Sequence, residues 1–158
     1  MKEAVFISEL MRSFSTYGDI FMHKITDMPH FKGMKTRFDR KKPFDMIGTI
    51  GGIPIAIEAK MIKKVKGFGF RDIKPHQIEA LNDFHRAGGR SFVFLNVRQP
   101  RIKDVQKAIN SLIVFNGIGE IQVKQLKKEE LEYRMNLIGI KGYKGKFDIL
   151  PFIRSWLI

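Results

Sequence analysis

The chain has 158 residues, 44% of them apolar and 11% aromatic, enough for one domain with a real core and too apolar for a disordered tail. It contains no cysteine, which excludes a disulfide framework, a thiolate metal site and a cysteine nucleophile. Lys and Arg number 29 against 16 acids, a formal net charge of +13, so the surface favours a polyanion, with nucleic acid ahead of anionic lipid.

The first element is a helix over residues 2–17, where Val5, Phe6, Leu10, Phe14 and Tyr17 recur at helical spacing and Gly18 is placed to cap the end. Glu3 and Glu9 interrupt its apolar pattern. That argues against a signal peptide and for a cytoplasmic protein, with a phage-encoded protein acting in the host cytoplasm also compatible. No apolar run approaches the ~20 residues of a membrane helix. "DIFMHKIT" (19–26) reads as a strand. Residues 27–42 lack a period and form a basic loop containing Lys32, Lys35, Arg37, Arg40, Lys41 and Lys42. Two strands follow at 44–50 and 53–60. After them comes a second loop with Lys63, Lys64, Lys66, Phe68, Phe70 and Arg71. "PHQIEALNDFHRAGG" (75–89) is a helix, opened by Pro75, left through Gly88-Gly89 and buried along Ile78, Leu81 and Phe84. "SFVFLNV" (91–97) is apolar enough for a central strand. Beyond residue 100 the expected elements are a helix at 103–115, a strand at 119–126, a charged helix or turn at 124–134 and a terminal helix at 148–157. With no repeat or linker, the order predicts one α/β domain with a central mixed sheet flanked by helices.

"KPFDMIGTIGGIPIAIEAK" (42–60) carries the chemistry. A two-residue Gly51-Gly52 loop pairs Ile50 with Ile53 and fixes every pair outward: Thr49 with Pro54, Gly48 with Ile55, Ile47 with Ala56, Met46 with Ile57, and Asp45 with Glu58. Two carboxylates directly opposite, with Cα atoms ~4.5 Å apart, repel unless a cation lies between them. Lys60 leaves the strand on the same face as Glu58, while Ile53, Ile55, Ile57 and Ala59 face the core. Hard carboxylate oxygens suit Mg²⁺ or Mn²⁺, and Lys60 could position a water or stabilise phosphate charge. The plain alternative is a salt-bridged strand end in which Lys60 neutralises two acids. A bulge at the turn would shift the register.

"PFD", a 13-residue step and "EAK" resemble the PD-(D/E)XK nuclease signature, here Asp45, Glu58 and Lys60. The step resembles that of archaeal-type Holliday junction resolvases, and "PHQIEALNDFHRAGGRSFVFLNV" (75–97) resembles the segment after the motif in RecU-type bacterial resolvases. One departure is that Phe44 stands between Pro43 and Asp45. The resemblance covers residues 1–97. It implies a restriction-endonuclease-like fold and a Mg²⁺-dependent endonuclease, accepting Mn²⁺, that cuts four-way DNA. It implies metal ligation by Asp45, Glu58 and the Ala59 carbonyl, water activation by Lys60, and a polar residue, Gln77, near the cluster. It also implies an acid from the first helix as metal ligand or base, for which Glu9 is the choice and Glu3 the rival.

The basic loop before Asp45 would guide a DNA arm, or is simply a solvated charged loop. Phe68 or Phe70 would wedge at the branch point, or be buried. His23, His30, His76 and His85 have no zinc spacing. Two matched cuts call for a C2 homodimer, its interface drawn from "DILPFIRSWLI" or the strand pair. Two rivals stand beside the resolvase. One is another nuclease of the same superfamily, of restriction or repair type. The other is a non-catalytic basic nucleic-acid-binding module in which the three charges form a structural ion pair.

Overall fold

The computed structural model describes residues 3–27, 41–63, 68–99, 110–116, 127–130, 140–141, 147, 149, 154 and 157. Its elements are α1 (Glu3–Phe14), β1 (Ile20–Lys24), β2 (Met46–Ile50), β3 (Ile53–Ile62), a 3₁₀ turn (Phe70–Asp72), α2 (Pro75–Arg86), β4 (Arg90–Arg98), β5 (Asn110–Asn116) and β6 (Ile140–Lys141). The six strands form one sheet in the order β1-β2-β3-β4-β5-β6. Among the described strands only β3 and β4 run parallel, and α2 makes the crossover between them; the other neighbours are antiparallel. This is the expected mixed α/β sheet.

α1 covers one face of the sheet. Its Phe6, Ile7, Leu10 and Phe14 pack on Met46, Ile50, Ile55, Ile57, Ala59, Phe92, Phe94, Leu112 and Val114. α2 covers the other face, where Leu81 meets Ala56, Ile62, Val93, Leu95, Val97, Ile113 and Phe115. The odd residues of β3 therefore point to α1 and the even ones, including Glu58 and Lys60, to the α2 side.

The hairpin register is the one read from the sequence as far as Met46–Ile57. Gly51 and Gly52 take φ of 55° and 80°, both in the left-handed region that a two-residue hairpin turn of this hand requires.

Two expectations fail. α1 ends at Phe14 rather than 17, and Gly18 has no positive φ and is not its cap. The Ser13, Ser15 and Thr16 hydroxyls donate to the Glu9, Arg12 and Ser13 carbonyls, satisfying the final turn early. The end of the expected helix at 103–115 is instead strand β5, whose Ser111–Phe115 are all buried. In the described part of the apolar tail, Ile149 is buried and Leu157 packs against the α1 core, while Arg154 is exposed. Of the rest, the strand expected at 119–126 lies outside the described residues, while Lys128–Glu130 and Arg154 are helical.

Candidate active site

The site forms where the sheet splits. β2 stops at Met46, but β3 continues to Ile62, so among the described residues the edge of β3 that faced β2 is free of strand pairing beyond Ile57. Asp45 turns into that gap. Its amide donates to the Ile57 carbonyl at 3.1 Å and its carbonyl accepts from Ile25 at 2.8 Å. Asp45 and Met46 thus both address Ile57, the two-against-one arrangement of a bulge. The expected face-to-face pairing of Asp45 with Glu58 is corrected accordingly: the two acids meet because Asp45 bends towards β3, not as a cross-strand pair.

Asp45 is 2% exposed, and its Oδ2 accepts from the Ala59 amide at 2.8 Å. The N–H and C=O of one strand residue point to the same side. The Ala59 carbonyl therefore opens on the edge that Asp45 occupies. Two residues on, the Glu3 carboxylate comes within electrostatic range of the Met61 amide, Lys60 and Asp45. Asp45 thus occupies the free edge of β3, Glu3 approaches it from α1, and Glu58 enters from the face.

Glu58 is fully buried. Its Oε1 lies 2.7 Å from Lys60 Nζ, and its Oε2 has no hydrogen-bond partner among the described residues. Burial, reinforced by the Asp45 charge and opposed by Lys60, pushes the Glu58 carboxyl up to about 7. Burial also raises the Glu3 carboxyl above its ordinary value, against Lys60. Burial disfavours the Lys60 and Lys42 ammoniums, but Glu58 on one and Asp45 on the other outweigh it, so both are held above their usual range. Lys42 Nζ lies 2.6 Å from Asp45 Oδ1.

Glu9, the helix acid chosen from the sequence, is elsewhere. It forms a buried two-pronged ion pair with Arg98 at the end of β4, with Nη1 to Oε1 at 3.2 Å and a closer contact from Nη2 to Oε2. Arg98 Nε also donates to Asn110, which accepts from Asn96. Glu3, not Glu9, is the acid that α1 brings to Asp45 and Lys60. Six residues along a helix amount to about 600° of rotation, so the two glutamates leave α1 on different sides.

Gln77 is buried rather than solvent-facing, and its Oε1 accepts from the Lys74 amide at 3.2 Å, the reciprocal half of a capping box at the start of α2. Phe68 is not available to DNA: it is buried and stacks on Phe115 with ring centroids 5.5 Å apart. Lys42, assigned from the sequence to DNA, turns inward to Asp45. Lys41, Lys63 and Arg71 are exposed. Lys32, Lys35, Arg37, Arg40, Lys64 and Lys66, and the side chain of Phe70, lie outside the described residues. Sequence reasoning missed Lys42 as a site residue. Its i, i+3 spacing to Asp45 was the available signal.

Among the described residues, no three His, Cys, Asp or Glu side chains converge into a closed metal cage. Mg²⁺ does not need one, because it keeps several waters and takes one or two carboxylates. The buried, unpartnered Glu58 Oε2, the neighbouring Asp45 carboxylate and the Ala59 carbonyl are hard oxygen donors on one strand edge, and they fit that demand.

A mixed sheet that splits beside an Asp, with Glu-x-Lys on the strand that continues, defines a nuclease of the PD-(D/E)XK class. The model of one family, RecU (Recombination protein U), matches residues 14–155, well past the span of the resemblance read from the sequence. The chain belongs to that family and is, with it, a Holliday junction resolvase. Both α1 glutamates precede the matched span, so geometry alone selects between them. No curated protein sequence matches the chain significantly. Among solved structures it is similar to that of Archaeoglobus fulgidus Hjc, a Holliday junction resolvase from an archaeal hyperthermophile, at 16% identity, covering 88% of this chain and 92% of that one with a TM-score of 0.47. No described helix is long and apolar enough to cross a membrane.

Proposed function

We propose that the chain is a Mg²⁺-dependent, structure-specific DNA endonuclease, with Mn²⁺ able to substitute, that resolves four-way junctions as a homodimer by paired symmetric cuts. The observation that carries this reading is the fully buried Glu58, one oxygen on Lys60 and the other unpartnered, beside Asp45 at the split in the sheet. Lys42 and Lys60 already neutralise two of these acids, but a binding module has no use for a buried Glu58 oxygen left without a hydrogen-bond partner.

Asp45, Glu58 and the Ala59 carbonyl would hold the ion. When bound, Mg²⁺ supplies polarisation of the phosphodiester and acidification of the attacking water. The Lys60 ammonium, positioned by Glu58, orients that water or holds charge on the phosphate. Glu3, with its carboxyl raised by burial close to Lys60 and Asp45, is suited to accept the water's proton. Gln77 supports the site by capping α2, whose helix packs on the face that carries Glu58 and Lys60. The exposed Lys41, Lys63 and Arg71 flank the cluster in sequence and suit phosphate contacts. Two cuts related by the junction's approximate two-fold axis require two such clusters, which a C2 dimer supplies.

The test is cleavage of a synthetic four-way junction in Mg²⁺, beside its matched linear duplex and the Asp45→Asn protein. Symmetric nicks in the junction alone, lost in the variant, are expected. Equal cutting of both DNAs would reject junction specificity. Tight binding without cutting in Mg²⁺ or Mn²⁺ would return the cluster to a structural role.

A further inference from the structure

Lys42 is placed in a way that neither a solvated charge nor a DNA contact explains. It is only three residues before Asp45, its side chain is 18% exposed, and its ammonium lies 2.6 Å from Asp45 Oδ1. The other Asp45 oxygen is already committed to the Ala59 amide. Oδ1 is therefore the oxygen that Asp45 has left for a cation, and Lys42 sits on it. Glu58 differs in this respect, because Lys60 takes one of its oxygens and leaves the other without a partner.

Charge counting points the same way. Glu3, Asp45 and Glu58 oppose Lys42 and Lys60, a formal balance of one negative charge in a poorly solvated pocket. Adding a divalent ion with both lysines in place would leave one excess positive charge. Releasing Lys42 restores neutrality. Asp27 is exposed and also acts on the Lys42 ammonium, so a second acid is near to receive it.

Resting on the metal-dependent reading above, we propose that Lys42 is an internal counter-ion that competes with the catalytic metal for Asp45 Oδ1, so that metal binding expels its ammonium from the site. Lys42 acts through Asp45 and is a positioning residue. In the metal-free protein it keeps a buried carboxylate neutralised. In the loaded protein it stands at the rim of the site, next to the exposed Lys41, where phosphate arrives.

The experiment is calorimetric titration of Mn²⁺ into the metal-free full chain, comparing wild type with Lys42→Met, which keeps the length of the stem and removes the charge. The expected result is about tenfold tighter binding in the variant, since an opposite charge at this range biases a carboxylate by a factor of ten or more. A residue that merely supported the fold would weaken binding when replaced. Equal or weaker binding by the folded variant would overturn the role of Lys42 while leaving the metal site standing. No Mn²⁺ binding by either protein would overturn the metal reading and this one with it. Should Lys42→Met fail to fold, acetylation of wild-type Lys42 by an amine-reactive ester, read by mass spectrometry, carries the test. Faster labelling with Mn²⁺ than without is expected, and an unchanged or slower rate would overturn the proposal.

Discussion

Glu3 and Glu9 share a helix but answer to different strands: the first comes near Lys60 on β3 and the second pairs with the Arg98 guanidinium on β4. Their substitutions should separate cleanly. Glu9→Gln breaks the buried ion pair with Arg98 and should cost about 3–5 kcal/mol of stability. Glu3→Gln removes a partly exposed carboxylate and should leave the melting temperature nearly unchanged while lowering the cleavage rate. Thermal melts run beside single-turnover cleavage check both, and the reverse pattern would restore Glu9 as the helix acid. Asp45→Asn should remove about a thousandfold or more of the rate, with the fold retained by circular dichroism.

Glu58 adds a pH prediction at the same scale. Its carboxyl is raised from 4.5 to about 7, so between those values the folded chain holds a proton that the unfolded chain has released. The stability it contributes is full below about 4.5 and is lost as pH rises through 7, an effect of up to about 3 kcal/mol. Metal-free wild type should therefore lose stability relative to Glu58→Gln between pH 5 and 8. Because the ion needs the ionised form, Mg²⁺ should raise the melting temperature more at pH 8 than at pH 6. Melting curves with and without Mg²⁺ at both values test the sign.

At the scale of elements, the β2–β3 hairpin carries the site, so faults in its strands should disable chemistry from a distance. Gly48 allows β1 to approach β2: a Cβ there would lie 1.9 Å from the Phe21 carbonyl oxygen. That neighbour is backbone and cannot swing aside, so Gly48→Ala should cost about 3 kcal/mol or more and loosen Asp45 with its strand. Urea unfolding with parallel Mn²⁺ titration measures both losses. The elements also show what a single sequence can reveal. A Gly-Gly turn fixes the hairpin because only two left-handed residues close it, and every pair to Met46–Ile57 follows by counting. The bend at Asp45 does not follow by counting, because it depends on β1 ending at Lys24 and on Ile25 reaching the Asp45 carbonyl. The sequence suggests a helix where β5 lies because its buried run has no period of two, and an apolar run covered on both faces looks the same in either structure.

At the scale of the whole molecule, a net charge of +13 makes DNA affinity a matter of phosphate neutralisation. Log K should fall linearly with log salt at a slope of about −0.9 per phosphate contacted, for junction and duplex alike. Shape recognition should then appear as a salt-independent offset between the two. Fluorescence anisotropy in Ca²⁺ over a range of salt would measure it, and a difference that vanishes at high salt would argue against shape recognition. Analytical ultracentrifugation with and without junction DNA tests the dimer.

The sequence by itself determined the class of the fold, the hairpin register as far as Met46–Ile57, and that Asp45, Glu58 and Lys60 lie together at one end of it. Turn chemistry and side-chain alternation act over a few residues and need no distant partner. The tertiary structure decided which α1 glutamate meets the cluster, that Phe68 is core, and that Lys42 faces Asp45 rather than solvent. Each of these depends on how a helix or loop packs against strands far away in the chain, and local periodicity carries no record of that packing.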